Sequence, residues 1–181
     1  QTIMTAKYIA DTIESILSSN EDLLEIAFRQ RAKFEGWLKF EIAKEFQKSG
    51  KATKVEYPIA KGHVDLFADN CLIELKTPNT SYTCKGVDPK TRTITDNVNS
   101  IISDVDKLRN ITENHCYDLF IAFVMFPIDI DKDEDKNTTS KYMEHVNRIE
   151  KHIQAQELKI TKAQRIVRIK SIPAFVYVAK V

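Results

Sequence analysis

The stretch Gly62-His63-Val64-Asp65-Leu66-Phe67-Ala68-Asp69-Asn70-Cys71-Leu72-Ile73-Glu74-Leu75-Lys76 decides the fold that we expect for this chain. Two apolar runs flank Asp69-Asn70, a pair that tolerates positive φ and therefore predicts a two-residue hairpin turn. If these two residues form the loop, Asp65 lies opposite Glu74. Because side chains alternate along a strand, Asp65, Glu74 and Lys76 then share one face of the hairpin.

Two carboxylates directly opposite each other repel, and such a pair should destabilise a sheet. A divalent cation with oxygen ligands, bound between Asp65 and Glu74, would explain the pair. The alternative is an ordinary solvated strand face. Phe67 and Leu72 lie on the same face and indicate that it is covered, and buried charges are costly unless they are paired or bound to a metal. The hairpin therefore predicts a cation site with Lys76 beside it.

This arrangement, Asp65 followed after a short hairpin by Glu74-Leu75-Lys76, resembles the PD-(D/E)XK nuclease superfamily, whose fold is restriction-endonuclease-like. Val64 stands where many members have proline. The resemblance extends over about residues 21–126. It implies hydrolysis of DNA phosphodiester bonds with Mg²⁺ held by Asp65 and Glu74, and Lys76 orienting or activating the attacking water. Mn²⁺ is expected to substitute for Mg²⁺, and the hard oxygen ligands favour both over zinc.

Superfamily members also carry a glutamate on the helix before the catalytic hairpin, where it helps to hold the metal ion. By this resemblance Glu35 is the first candidate and Glu41 the second. The alternative is that both are exposed helix residues that pair with Lys39 or Lys44. Asp104-Val105-Asp106-Lys107-Leu108 is typical of the helix after the Glu-x-Lys strand in restriction-endonuclease-like proteins, and we assign it no chemistry from the sequence.

The composition is that of an ordinary globular protein. With 181 residues, 43% hydrophobic and 29% charged, the chain is expected to form a single domain, 1–181, with a substantial core. Its net charge of +1 gives no general attraction to nucleic acid, so a DNA-binding surface must come from local clusters.

Three widely spaced cysteines without a CxxC pair argue against zinc and fit a reducing cytoplasm. No apolar run is long enough to span a bilayer, and we expect no membrane association.

Hydrophobic periodicity predicts an α/β protein with a central mixed β-sheet flanked by helices. The first three strands are expected to be antiparallel neighbours, and a strand buried on both faces joins them after a crossover helix. The C-terminal helix and hairpin, 139–181, elaborate the core. The predicted elements are a helix over 5–18, a helix over 21–48, a strand over 53–59, the hairpin strands 62–68 and 71–76, a helix over 95–110, a strand over 117–126, a helix over 139–157, and strands over 164–170 and 174–180.

Three groups of basic residues are candidate contacts to the DNA backbone. The polar stretch after Lys76 and the region near the C-terminus supply five of them: Lys85, Lys90, Arg92, Arg165 and Arg168. A further cluster on the second predicted helix comprises Arg29, Arg31 and Lys33. The alternative for Lys85, Lys90 and Arg92 is a flexible surface loop without a role in binding. The alternative for the cluster on the helix is a solvated helix face.

The function that we expect is that of a small type II restriction-type endonuclease acting on double-stranded DNA. A homodimer is implied by the resemblance, since such enzymes commonly cut one strand with each subunit. A Holliday-junction resolvase or repair nuclease, and the nuclease domain of a larger restriction subunit, are the rivals within nucleases. A DNA-binding module that has lost catalysis is the rival from another class.

Overall fold

The computed structural model describes residues 2–89, 93–111, 116–130, 140–154 and 159–181. Within these residues the chain forms five helices and six strands. No helix among them is both long and apolar enough to cross a membrane. The elements, in chain order, are α1 (Ala6–Ser18), α2 (Glu21–Gln30), α3 (Glu35–Lys48), β1 (Thr53–Ile59), β2 (Gly62–Ala68), β3 (Cys71–Lys76), α4 (Thr95–Arg109), β4 (Asp118–Met125), α5 (Lys141–Ile153), β5 (Lys162–Ile169) and β6 (Ile172–Lys180).

The strands of the described residues form one mixed sheet in the order β1-β2-β3-β4-β6-β5. β3 and β4 are parallel, and every other neighbouring pair is antiparallel. A parallel pair needs a crossover connection, and α4 lies in the chain between β3 and β4. The predicted α/β class, with its mixed sheet and three antiparallel first strands, is confirmed.

Helices cover both faces of the sheet. α1, α2 and α3 pack on one face through a core that includes Ile13, Phe28 and Phe46. α4 and α5 pack on the other face, where Val98 and Val146 are fully buried. The central strand β4 is buried between the two layers, as its almost continuous apolar sequence predicts.

The central hairpin has the predicted turn, and its register is the predicted one over three residue pairs, but the ladder ends before the predicted pairing of Asp65 with Glu74. Ala68 pairs with Cys71, and Leu66 pairs with Ile73. The two loop residues between these strands, 69 and 70, have φ of 46° and 68°, so both lie in the left-handed region. Two consecutive positive φ values are what a type I′ turn requires, which is why an Asp-Asn pair suits this position.

The prediction of one helix over 21–48 is wrong. α2 ends at Gln30, Arg31 adopts φ 52°, and α3 begins at Glu35. The Arg31 side chain explains the break. It is only 8% exposed, and it donates hydrogen bonds to carbonyl groups of a later loop. As a result Glu35 is the first residue of α3 rather than an interior helix residue.

The polar loop after β3 is anchored by α2. The Arg31 guanidinium donates hydrogen bonds to the carbonyl oxygens of Thr80, Tyr82 and Asp88 at 2.5–2.6 Å. The Asp88 N–H donates to the Arg29 carbonyl at 2.7 Å. Over residues 77–89 the loop therefore has a defined course, and the interpretation of Arg31 as a phosphate contact or a solvated residue is wrong.

The other predicted helices and strands are present, with ends within two residues of the expected ones except at α5, which ends at Ile153 with Gln154 as its C-cap instead of at 157. Residues 155–157, predicted as the end of the last helix, lie outside the described residues.

Candidate functional site

The candidate site begins where β2 and β3 separate. The pairing of these strands extends from Ala68–Cys71 to Leu66–Ile73. The next residue of β2 is Asp65, and its Oδ2 accepts a hydrogen bond from the Leu75 N–H at 2.8 Å. The Leu75 N–H therefore donates to a side-chain oxygen of β2 instead of to a main-chain carbonyl group, as it would if the β2–β3 ladder continued. This bond fixes the Asp65 carboxylate between the two separating strands, next to the backbone of Glu74 and Lys76. We call this point, between Asp65 of β2 and residues 74–76 of β3, the strand fork.

The two candidate site residues of β3, Glu74 and Lys76, both contact α4. The Lys107 Nζ lies 2.7 Å from the Glu74 Oε1, and the Lys76 Nζ lies 3.4 Å from the Asp104 Oδ2. Residues two apart on a strand share a face, and residues three apart on a helix are neighbours. The matched spacings therefore give two ion pairs side by side between β3 and α4. Only 5% of the Glu74 side chain is exposed.

The carboxylates at the fork influence one another. Burial, followed by the negative charge of Asp65, raises the pKa of Glu74 to about 7, and the hydrogen bond from Lys107 opposes this increase. Burial also raises the pKa of Asp104, and Lys76 opposes that increase. Asp65 contributes to both shifts, so its carboxylate is close enough to repel both others. The three carboxylates are therefore electrostatically coupled.

A second group of charges borders Asp65 on the α3 side. The Lys39 Nζ lies 3.8 Å from the Asp65 Oδ1 and also pairs with Glu56 of β1. Glu56 has φ 50°, and its Oε2 lies 2.5 Å from the His63 Nε2. Asp65 thus reaches toward α3, whereas Glu74 and Lys76 contact α4. The predicted common face is present for Glu74 and Lys76, but the prediction is wrong for Asp65, whose carboxylate lies in the fork and faces Lys39 of α3.

Glu35 lies at the end of β3. Its Oε2 accepts a hydrogen bond from the Thr77 hydroxyl, and the Thr77 Oγ1 accepts one from the Phe34 N–H at 3.1 Å. This pair ties the first turn of α3 to the residue after Lys76. Glu41, the second candidate, pairs with Lys44 at 2.7 Å on the same helix, as expected for a surface carboxylate.

The donor chemistry at the fork suits a hard divalent cation. Asp65 and Glu74 offer carboxylate oxygens, and burial together with the charge of Asp65 raises the pKa of Glu74. In the part of the chain that the structure describes, no three acidic, histidine or cysteine side chains are gathered closely enough to hold one ion. Lysine ammonium groups pair with the carboxylates in this arrangement, with Lys39 at Asp65 and Lys107 at Glu74.

The five basic residues predicted to contact DNA have different surroundings. Lys85 and Arg168, predicted from separate regions, line one cavity of about 350 Å³ together with Thr83 and Ser171. Arg165 forms ion pairs with Asp11 and Glu14 of α1, so its charge is already balanced. Lys90 and Arg92 lie outside the described residues.

Asp104 and Lys107 contact the candidate site residues, although the sequence alone gave them no role. The sequence feature that relates them to the site is their spacing. Asp104 and Lys107 are three residues apart on a helix, and Glu74 and Lys76 are two apart on a strand, so each pair lies on one face of its element. This match between the two spacings has meaning only once α4 is known to lie against β3. Glu56 gave no signal, because an isolated acidic residue in an edge strand is usually solvated.

Glu74→Gln is expected to stabilise the protein more at pH 8 than at pH 5. The folded-state pKa of Glu74 is raised from 4.5 to about 7, so the folded state binds the proton more tightly than the unfolded state does. The stabilisation from that proton is present below pH 4.5 and is lost as the pH rises through 7. Glutamine does not ionise, so the variant should gain about 2 kcal/mol over the wild type across this range.

Urea unfolding of both proteins at pH 5 and pH 8 measures this difference. A difference in unfolding free energy that stays constant with pH would show that Glu74 titrates normally.

Comparison with models of protein families, with curated proteins and with solved structures found no significant match. A functional inference for this chain therefore depends on the charged residues around the strand fork.

Proposed function

We propose that this protein is a metal-dependent deoxyribonuclease of the PD-(D/E)XK type with a restriction-endonuclease-like fold. The observation that carries the proposal is the strand fork, where Asp65 accepts a hydrogen bond from the Leu75 N–H, and where burial and then the charge of Asp65 raise the pKa of Glu74. Lys76 follows on the same strand as Glu74. Two carboxylates and one ammonium group at a break in a sheet are the residue types that metal-assisted phosphodiester hydrolysis needs.

Asp65 and Glu74 would hold Mg²⁺, with Mn²⁺ as a substitute. The bound ion would polarise the phosphate, lower the pKa of a water molecule and offset charge on the leaving oxygen. Lys76 orients the attacking water and stabilises negative charge that develops on the phosphate oxygens. Glu35 supports the end of β3 through its hydrogen bond with Thr77, and a role for it at the metal is implied by the resemblance alone.

Double-stranded DNA is the substrate that we favour, and a small type II restriction-type enzyme, acting as a homodimer, is the specific form. Lys85, which belongs to the loop after Lys76, lines one cavity together with Arg168 and the acidic Asp129. Cations in such a position support contact with a phosphate backbone. A resolvase or repair nuclease, and a nuclease domain of a larger restriction subunit, remain the alternatives within this class.

Cleavage of three substrates tests the proposal. Supercoiled plasmid, linear duplex and a four-way junction are each incubated with the purified protein and Mg²⁺, with and without EDTA. We expect EDTA-sensitive cleavage of plasmid and duplex. Preferential cutting of the junction would instead favour the resolvase. Binding of duplex without cleavage in either Mg²⁺ or Mn²⁺ would contradict the nuclease and favour a DNA-binding module.

A further inference from the structure

We propose that Asp104 is a positioning residue that holds the Lys76 ammonium group for the cleavage reaction; this inference rests on the proposed nuclease function. The Asp104 Oδ2 lies 3.4 Å from the Lys76 Nζ. Lys76 is the last residue of β3, and its side chain is 29% exposed. A flexible side chain at the end of a strand needs a partner to define where its charge lies.

α4 provides a rigid base for that partner. Asp104 lies in the middle of the helix, and the adjacent Val105 is fully buried in the core between α4 and the sheet. Lys107, one turn further along, pairs with Glu74. The helix therefore fixes one cation and one anion against the two charged residues of β3, so that Lys76 is directed by Asp104 while Glu74 is directed by Lys107.

The surroundings of Asp104 distinguish this pair from an incidental surface contact. Only 13% of the Asp104 side chain is exposed, and its buried Oδ2 is the atom that pairs with the Lys76 ammonium group. Burial raises the pKa of this carboxyl group, so keeping it charged opposes folding. A buried ion pair is often no more stabilising than an apolar pair of similar size. Because such a pair adds little stability, we attribute the role of the Asp104 carboxylate to the orientation of Lys76.

Asp104→Asn tests the proposal, with Asp106→Asn as its matched control on the same helix. Asp106 is 53% exposed and lies 2.7 Å from His152 on α5, away from Lys76. We expect Asp104→Asn to lower kcat for DNA cleavage about 10- to 100-fold with little change in KM, as for residues that orient a catalytic group. Asp106→Asn should leave both constants unchanged. Asp104→Glu should restore part of kcat, because it returns the carboxylate.

A second readout does not depend on cleavage. Limited acetylation with an amine-reactive ester, followed by mass spectrometry of the peptide containing Lys76, reports how firmly this ammonium group is held. We expect faster acetylation of Lys76 in Asp104→Asn than in the wild type or in Asp106→Asn. Labelling of Lys44, which pairs with Glu41 on α3, should be the same in all three proteins.

The outcomes separate the two proposals. Equal labelling of Lys76 in the wild type and Asp104→Asn would overturn the role of Asp104, whether or not the protein cuts DNA. Unchanged kcat in Asp104→Asn, with active wild type, would also overturn it. A wild type that cuts no DNA, with faster labelling of Lys76 in Asp104→Asn, would overturn the nuclease and with it the catalytic meaning of the ion pair.

Discussion

Glu74→Gln and Asp65→Asn are each expected to reduce Mg²⁺-dependent DNA cleavage by at least about 10³-fold. Both changes keep the shape of the side chain and remove the negative charge that would hold the cation. In Glu74→Gln the fold should survive, because the charge that is removed is buried and has a pKa raised to about 7. Cleavage of supercoiled plasmid under single-turnover conditions measures the effect.

Glu41→Gln is the matched control, since this α3 carboxylate pairs with Lys44 at 2.7 Å and has no contact with the strand fork among the described residues. It should cut DNA at the wild-type rate. Full activity in Glu74→Gln or Asp65→Asn would remove that residue from the mechanism. Circular dichroism and urea unfolding of each variant show whether an inactive protein is still folded.

Arg31→Met is expected to lower the free energy of unfolding by about 3–5 kcal/mol. The substitution removes three charge-assisted hydrogen bonds to the carbonyl oxygens of residues 80, 82 and 88. Because Arg31 is only 8% exposed, water does not readily replace the lost donors. The melting temperature should fall by about 10 °C. Limited proteolysis should also show earlier cutting within residues 80–88, because their anchor on α2 is lost.

Arg29→Met is the control for this prediction. Arg29 is 38% exposed and donates to the Gly86 carbonyl at 3.0 Å, so its loss should cost less than about 1 kcal/mol. The free energy of unfolding of Arg31→Lys should lie between those of Arg31→Met and Arg29→Met. Lysine keeps the charge but cannot donate to three carbonyl groups with the planar geometry of a guanidinium group. Equal stabilities of Arg31→Met and Arg29→Met would contradict the proposed role of Arg31 as the anchor of the loop.

The central hairpin could be predicted from the sequence because local rules determine it. The turn at 69 and 70 needs residues that tolerate positive φ, and the apolar runs on either side set the strands. Counting outward from the turn gives the observed pairing of Leu66 with Ile73. The continuous apolar run from 119 to 125 likewise identifies a strand buried on both faces. The positions of Glu74 and Lys76 on one strand follow directly from this counting.

The break between α2 and α3 could not be predicted, because its cause lies far along the chain. Residues 21–48 have continuous apolar spacing, and no glycine or proline marks the end at Gln30. Arg31 leaves the helix to reach carbonyl groups about fifty residues later, at 80, 82 and 88. A tertiary interaction of this kind overrides helix periodicity and gives no local signal.

The turn of Asp65 into the fork and the two ion pairs to α4 also depend on packing. Alternation along β2 places Asp65 on one face, but the hydrogen bond from the Leu75 N–H holds its carboxylate between the strands. The pairing of Asp104 with Lys76 requires the position of α4 relative to β3. Sequence periodicity determines which side of a helix is buried, but not which residue of the sheet each side chain meets.

Calorimetric titration of the wild type with Mn²⁺ tests most directly whether Asp65 and Glu74 hold a common cation. Wild-type protein, Glu74→Gln and Glu41→Gln are titrated under the same conditions at pH 8, where Glu74 is mostly ionised. Binding to the wild type and Glu41→Gln, with a loss of at least about tenfold in affinity in Glu74→Gln, is the predicted result. Equal affinity in all three proteins, or no binding to the wild type, would contradict a cation site at the strand fork.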